Sequence, residues 1–218
     1  MTTVPDPNLE VRVLDSGEVS RLLREGAVVL DVRPPDAYGG AHIAGAINVN
    51  VAASGFGERA RMIIPIGTTL VLVGGDVDQV RSAAAALADE YPIGGALAAE
   101  PDRWCRAGLA VRETPQLEPA TLAARMAGGD ALQVLDVRER REWDQGHLAN
   151  ARFIPFYDLL TRTDELDPQR PVAVYCATGQ RSSIAASILE RAGFRDVANV
   201  AGGITAWTKA GLPTEPSS

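Results

Sequence analysis

The sequence predicts an α/β protein made of two similar halves, each a mainly parallel sheet flanked by helices. Three observations point there. Short blocks recur in the same order in both halves, apolar β-branched runs alternate with helical patterns, and 218 residues suit two small domains better than one.

The repeat is the strongest of the three. Val29-Leu30-Asp31-Val32-Arg33 returns as Val134-Leu135-Asp136-Val137-Arg138, and His42 returns as His147, both at an offset of 105. Arg81-Ser82 matches Arg181-Ser182 at an offset of 100, and Trp104-Cys105-Arg106-Ala107-Gly108-Leu109 matches Trp207-Thr208-Lys209-Ala210-Gly211-Leu212 at 103. Four matches in one order at nearly one offset indicate a duplication, with loop insertions and deletions accounting for the drift. The two domains are expected over 10–111 and 117–214. A linker is expected near 112–116, where the flanking stretch holds two prolines and several polar residues.

Within each half the elements run in the same order. An amphipathic helix over 17–25 and 119–127 leads into an apolar strand over 27–32 and 132–137. A polar segment follows, then the His and a short strand over 46–51 and 151–155. The third strand, over 69–73 and 171–175, leads to an Ala-rich helix over 80–89 and 182–192. In the second half Gly193 stands where a helix C-cap glycine belongs, followed by a strand over 197–200, Gly202-Gly203 and a last helix through Trp207. Apolar strands alternating with helices argue for a parallel sheet covered on both faces.

Composition narrows the function classes. A net charge of -7 opposes nucleic acid or an anionic membrane as a main partner, although a local Arg cluster could still draw an anionic small molecule. No apolar run approaches the length needed to cross a bilayer, and the first ten residues lack the basic start of a secretion signal. A cytoplasmic location is therefore expected. Two cysteines and two histidines, all scattered, suggest neither a disulfide scaffold nor a metal site, and no cofactor is called for.

The segment from Val172 to Ser182 carries the chemistry. An apolar strand ends at Tyr175, a helix begins near Arg181, and Cys176-Ala177-Thr178-Gly179-Gln180 lies between them. Ligands bind beyond the carboxyl ends of strands in such sheets, and a helix N-terminus there favours an anion. Successive loop N–H groups can nest around the sulfur and raise the thiolate fraction, the nucleophilic form.

With these residues in view, the second half resembles a single rhodanese domain through Asp136-Val137-Arg138, Gly146-His147-Leu148, the loop Cys176 to Arg181, and Gly202-Gly203 with Trp207. The first half resembles the same family through Asp31-Val32-Arg33, His42-Ile43 and the Trp104 block. The tandem pattern also resembles the rhodanese part of fusions with a persulfide dioxygenase. The resemblance implies two tandem rhodanese-like domains, each a mainly parallel five-stranded sheet flanked by helices, and a thiosulfate sulfurtransferase type of enzyme. Its Cys would take sulfane sulfur from a small-molecule donor (thiosulfate or a persulfide, a protein persulfide included) and pass it as a persulfide to a thiol or cyanide acceptor.

Roles follow residue by residue. Cys176 is the expected nucleophile, and the backbone N–H groups from Ala177 to Arg181 its stabilising shell. Gly179 permits a backbone turn that a Cβ would resist. Arg181 is expected to steady the loop and to attract an anionic donor, and Arg138 to reach the same rim or else stand as a surface charge. Asp136 and His147 read as supporting, structural residues. In the first half no Cys stands between Val73 and Arg81, and Asp76 and Asp78 oppose an anion, so that half is expected to be catalytically silent. Two alternatives compete. A Cys-dependent phosphatase or arsenate reductase resembles a pattern with five residues between Cys and Arg, whereas four stand here. A non-catalytic binding or redox-sensing module would use the same scaffold without the chemistry.

Overall fold

The computed structural model describes residues 10–216. The chain divides into two compact units between Glu113 and Thr114. The first runs α1 (Ser16–Arg24), β1 (Val28–Asp31), α2 (Pro35–Gly40), β2 (His42–Ile43), β3 (Ile47–Asn48), α3 (Phe56–Ile63), β4 (Leu70–Gly74), α4 (Val77–Leu87), β5 (Ile93–Ala98), α5 (Pro101–Arg106) and β6 (Val111–Arg112). The second runs β7 (Gln116–Leu117), α6 (Pro119–Ala127), β8 (Gln133–Asp136), α7 (Arg140–Trp143), β9 (Arg152–Phe153), α8 (Leu159–Arg162), a 3-10 turn (Thr163–Glu165), β10 (Val172–Tyr175), α9 (Gln180–Arg191), β11 (Val197–Val200) and α10 (Gly203–Lys209).

Both main sheets are parallel, ordered β3-β1-β4-β5 in the first unit and β7-β11-β10-β8-β9 in the second. The central strands β4 and β10 are buried along their whole length, as strands covered on both faces must be. Leu122, Val134, Ala173, Tyr175 and Trp207 form one core cluster in the second unit. Val19, Val29, Val71, Val73 and Trp104 belong to its counterpart in the first.

The first sheet has four strands, not the expected five. Its fifth position is held by a single parallel bridge, Val13 to Ala96, with Leu14 N–H donating to the Ala96 carbonyl and Ala96 N–H to the Arg12 carbonyl, each at 2.8 Å. The cause lies in β5, where the pairing with β4 slips between Leu70 and Val71 and Gly95 takes φ +143°. Such a bulge bends the edge and disrupts its ladder, so the neighbour pairs at one point only. The segment expected as a linker carries structure at both ends. Val111–Arg112 pairs antiparallel with His42–Ile43, and Gln116–Leu117 forms the edge of the second sheet.

The duplicated Asp-Val-Arg block makes the same construction twice. Arg138 Nε and Nη2 grip both carboxylate oxygens of Asp136 at 2.6 to 3.0 Å, and Nη2 also donates to the Gly146 carbonyl at 2.8 Å. Arg33 grips Asp31 at 2.5 to 3.1 Å and donates to the Ala41 carbonyl at 2.8 Å. All four side chains are buried. The histidines repeat as well: His42 stacks on Tyr38 with ring centroids 3.9 Å apart, and His147 on Trp143 at 3.5 Å.

A buried charge stripped of its partner is costly. Arg138→Ala should lower stability by about 3–5 kcal/mol, against well under half that for an exposed pair such as Arg140 with Asp144. Urea unfolding of the full chain measures the difference; equal losses from the two substitutions would contradict it.

Candidate active site

Cys176 follows the last residue of β10 and is 1% exposed. Between it and α9 lie Ala177, Thr178 and Gly179, whose exposure runs from half-buried through exposed to buried. Gly179 is the N-cap of α9 at φ +92°, a left-handed conformation that favours glycine. That turn brings its N–H to 3.2 Å from Cys176 Sγ, and the hydroxyl of Ser182, in the first turn of α9, donates to the same sulfur at 3.4 Å.

The loop is held from beneath by α10. Ile204 N–H donates to the Cys176 carbonyl at 2.8 Å and Thr205 N–H to the Ala177 carbonyl at 3.1 Å. This approach leaves no room at Gly203, where a Cβ would lie 2.2 Å from the Cys176 carbonyl oxygen. Asn199 ties the far side, its Nδ2 donating to the Gly179 carbonyl at 3.2 Å and to Gln116 Oε1 at 2.9 Å. The carbonyls of Cys176, Ala177 and Gly179 thus have partners in the scaffold, while an N–H and a hydroxyl converge on the sulfur.

Comparison with known proteins adds the family. The Rhodanese-like domain pattern matches residues 15–98 and again 118–210. The chain belongs to the rhodanese-like domain family. It is 33% identical over 98 residues to a sulfurtransferase of Allochromatium vinosum, covering 45% of this chain and 92% of that one. It is 33% identical over 85 residues to the thiosulfate sulfurtransferase GlpE of Coxiella burnetii, covering 39% of this chain and 78% of the relative. Among solved structures, a rhodanese-related protein of Thermoplasma volcanium matches with 33% identity and a TM-score of 0.44, over 47% of this chain and 99% of its own. Both of these curated relatives carry a sulfurtransferase name.

The charged residues around this rhodanese loop are distributed in a way the sequence did not reveal. Arg181 is not a free cation: its Nη1 and Nη2 reach Glu142 Oε2 and Oε1 at 2.5 and 2.7 Å. Glu142 lies 39 residues earlier, on α7, where it also closes a capping box by accepting from Glu139 N–H at 3.1 Å. The hydrogen bonds from Arg181 hold the Glu142 carboxyl below the usual carboxylate range, and the same pairing raises Arg181. Arg138 and Asp136 lie buried in their own pair, and Tyr175, against which Arg138 stacks, has its hydroxyl raised far above the usual range by burial. His147 stacks on Trp143, and its N–H and carbonyl pair with Glu215.

Glu142, Ser182, Gly203 and Asn199 complete the site, and none was singled out as a site residue from the sequence. The Gly202-Gly203 doublet was a visible signal. The Glu139/Glu142 spacing signals a helix cap but not the pairing with Arg181.

In the first rhodanese domain the matching place lacks a cysteine. Val73 pairs opposite Asp31 as Tyr175 pairs opposite Asp136, so Gly74 takes the place of Cys176. Only Gly75 and Asp76 then precede α4, one residue fewer than in the second domain. This register also corrects the Arg81–Arg181 match: α4 starts at Val77 and α9 at Gln180, so Arg81 sits about one turn deeper in its helix than Arg181. Its partner is Asp78, at 3.3 Å.

The ionised state of Glu142 sets a pH dependence. Its folded pKa is depressed, so its contribution is present above the unfolded value and disappears as pH falls through the lower folded one. Glu142→Gln should cost about 1 kcal/mol at neutral pH, and that gap should close on acidification below the ordinary glutamate range. Chemical denaturation of both proteins across pH 3–7 checks the sign; a gap that widens in acid would exclude the pairing as its source.

Proposed function

We propose that this protein is a sulfurtransferase whose second domain carries sulfane sulfur on Cys176. The observation that carries the reading is the convergence of the Gly179 N–H and the Ser182 hydroxyl on Sγ, with the loop carbonyls turned to α10 and Asn199. Donors fixed around an anion stabilise it without reorganisation.

In the first half-reaction the Cys176 thiolate attacks the outer sulfur of thiosulfate or of a persulfide, small-molecule or protein-borne. A new S–S bond forms, the donor's own bond to that sulfur breaks, and sulfite or a thiolate leaves with the electron pair. In the second, a thiol (as thiolate) or cyanide attacks the outer sulfur, and Cys176 departs as thiolate. The charge shuttles between sulfurs, so no proton donor is required at the leaving group. A cytoplasmic setting suits this cycle, because thiol acceptors are abundant there and two unpaired cysteines stay reduced. The first domain contributes no chemistry: Gly74 replaces the nucleophile.

The phosphatase reading fares worse on one observation. A phosphoryl-transfer loop needs its arginine free to grip the phosphate oxygens bidentately. Here both terminal nitrogens of Arg181 are bound to Glu142. The non-catalytic reading has no comparable support in the second domain, where the Gly179 N–H and the Ser182 hydroxyl converge on Cys176.

Two measurements test the proposal. Incubation with thiosulfate or glutathione persulfide, followed by mass analysis of the intact protein, should show a gain of one sulfur atom on Cys176. Cys176→Ser should abolish that gain and the transfer to cyanide with an unchanged fold, while Cys105→Ser, on exposed α5, should keep near-full activity. Full activity in Cys176→Ser would refute the mechanism. The protein should also hydrolyse aryl phosphates no faster than background; a Cys176-dependent rate would favour the phosphatase.

A further inference from the structure

We propose that the first unit carries a separate binding site for a small, largely apolar organic cation, in the space left where a nucleophile loop is missing. A cavity of about 580 Å³ opens at the carboxyl ends of β4 and β5, the position equivalent to the Cys176 loop. Small-molecule sites commonly span roughly 300–1,000 Å³ and occur at this end of parallel sheets.

The cavity has an identifiable origin. Gly74 stands where Cys176 stands in the second unit, and the loop after it is one residue shorter. Ala96 pairs with Leu72 as Asn199 pairs with Val174, so Ala96 takes the place of Asn199. In the second unit the Asn199 amide fills this space by linking the Gly179 carbonyl to Gln116. An alanine methyl cannot bridge that gap, and the volume stays open.

Its lining fixes the class of ligand. Val80, 8% exposed, and Ala96, 5% exposed, line the buried part. Val13 and Val77 flank the opening at 69% and 63% exposure, so two of the most exposed large apolar side chains of the described residues border one cavity. Four charges line it too: Glu10, Arg12, Asp76 and Arg81. Arg12 already pairs with Glu18, and Arg81 with Asp78. Asp76 caps α4 by accepting from Gln79 N–H but keeps its negative charge, so with Glu10 it leaves the rim with an acidic excess. An apolar body matches the walls, an ammonium group matches the rim, and a carboxylate is repelled.

The site is distinct from Cys176 and does not require the sulfurtransferase reading. The test titrates the full chain with phenethylamine, 2-phenylethanol and phenylacetate, following chemical shifts and heat. Phenethylamine should saturate a single site with shifts at Val80, Ala96 and Val77. It should bind about two- to fivefold more tightly than the alcohol, the range of one exposed ion pair, with phenylacetate weakest. Ala98→Phe, which fills the cavity mouth, should weaken phenethylamine at least tenfold and leave sulfur transfer unchanged. Glu10→Gln with Asp76→Asn, which keeps a cap for α4, should bring the amine down to the level of the alcohol. Non-saturable binding, shifts located elsewhere, or phenylacetate binding most tightly would each overturn the proposal. Should Ala98→Phe unfold the domain, the charge variant and the shift map still decide.

Discussion

The approach of α10 to the Cys176 loop is the constraint on which the site depends. The backbone of Gly203 sits so close to Cys176 that no side chain fits between them. That contact lets Ile204 and Thr205 take the carbonyls of Cys176 and Ala177. A peptide whose carbonyl is turned one way presents its N–H the other way, so anchoring the carbonyls below orients donors above. The left-handed Gly179 completes the turn and aims its own N–H at the sulfur. The two glycines serve one geometry: one lets the supporting helix come close, the other lets the loop curl over Sγ.

The duplication separates what serves the fold from what serves the chemistry. The buried Asp-Arg pair, its reach to a carbonyl eight residues on, and the stacked histidine all recur in the unit without the loop cysteine. A feature kept where that cysteine is absent is explained by packing: a buried charge must stay paired, and an arginine between two strand ends ties the following turn to the sheet. Arg138 and His147 are accounted for in this way. The loop, the Asn199 bridge and the Arg181–Glu142 pair have no counterparts at the matching positions, since Gly74, Ala96 and Asp78 stand there.

Elements with a strong local pattern were legible in the sequence. The helix over 119–127 and the strand over 197–200 were read at their observed bounds, because apolar periodicity and flanking punctuation agree there. Strand β5 was not read: Gly94-Gly95 inside it signals a turn, and only the ladder with β4 overrides that signal. The Arg81 match failed for a related reason. The shared Arg-Ser dipeptide outweighs the spacing locally, yet the helix starts place Asp78, not Arg81, opposite Arg181. Glu142 was illegible because it meets Arg181 across 39 residues of chain, a distance that only the sheet order closes.

These differences explain why one cysteine would not recreate the second unit's loop in the first. A Cβ at Gly74 would meet Val80 Cγ2 at 2.8 Å and the Asp76 carbonyl oxygen at 3.1 Å, so a cysteine there would push against α4 itself. Asp76 already satisfies the start of that helix by accepting from Gln79 N–H at 2.8 Å, and Gln79 in turn accepts from Gly75 N–H at 3.0 Å. The shortened loop is therefore closed on its own side chains. Restoring an anion cradle would require an added residue, a left-handed glycine and a bridging amide together. The first unit has settled into a different, internally satisfied loop, and the volume it gave up is available for another purpose.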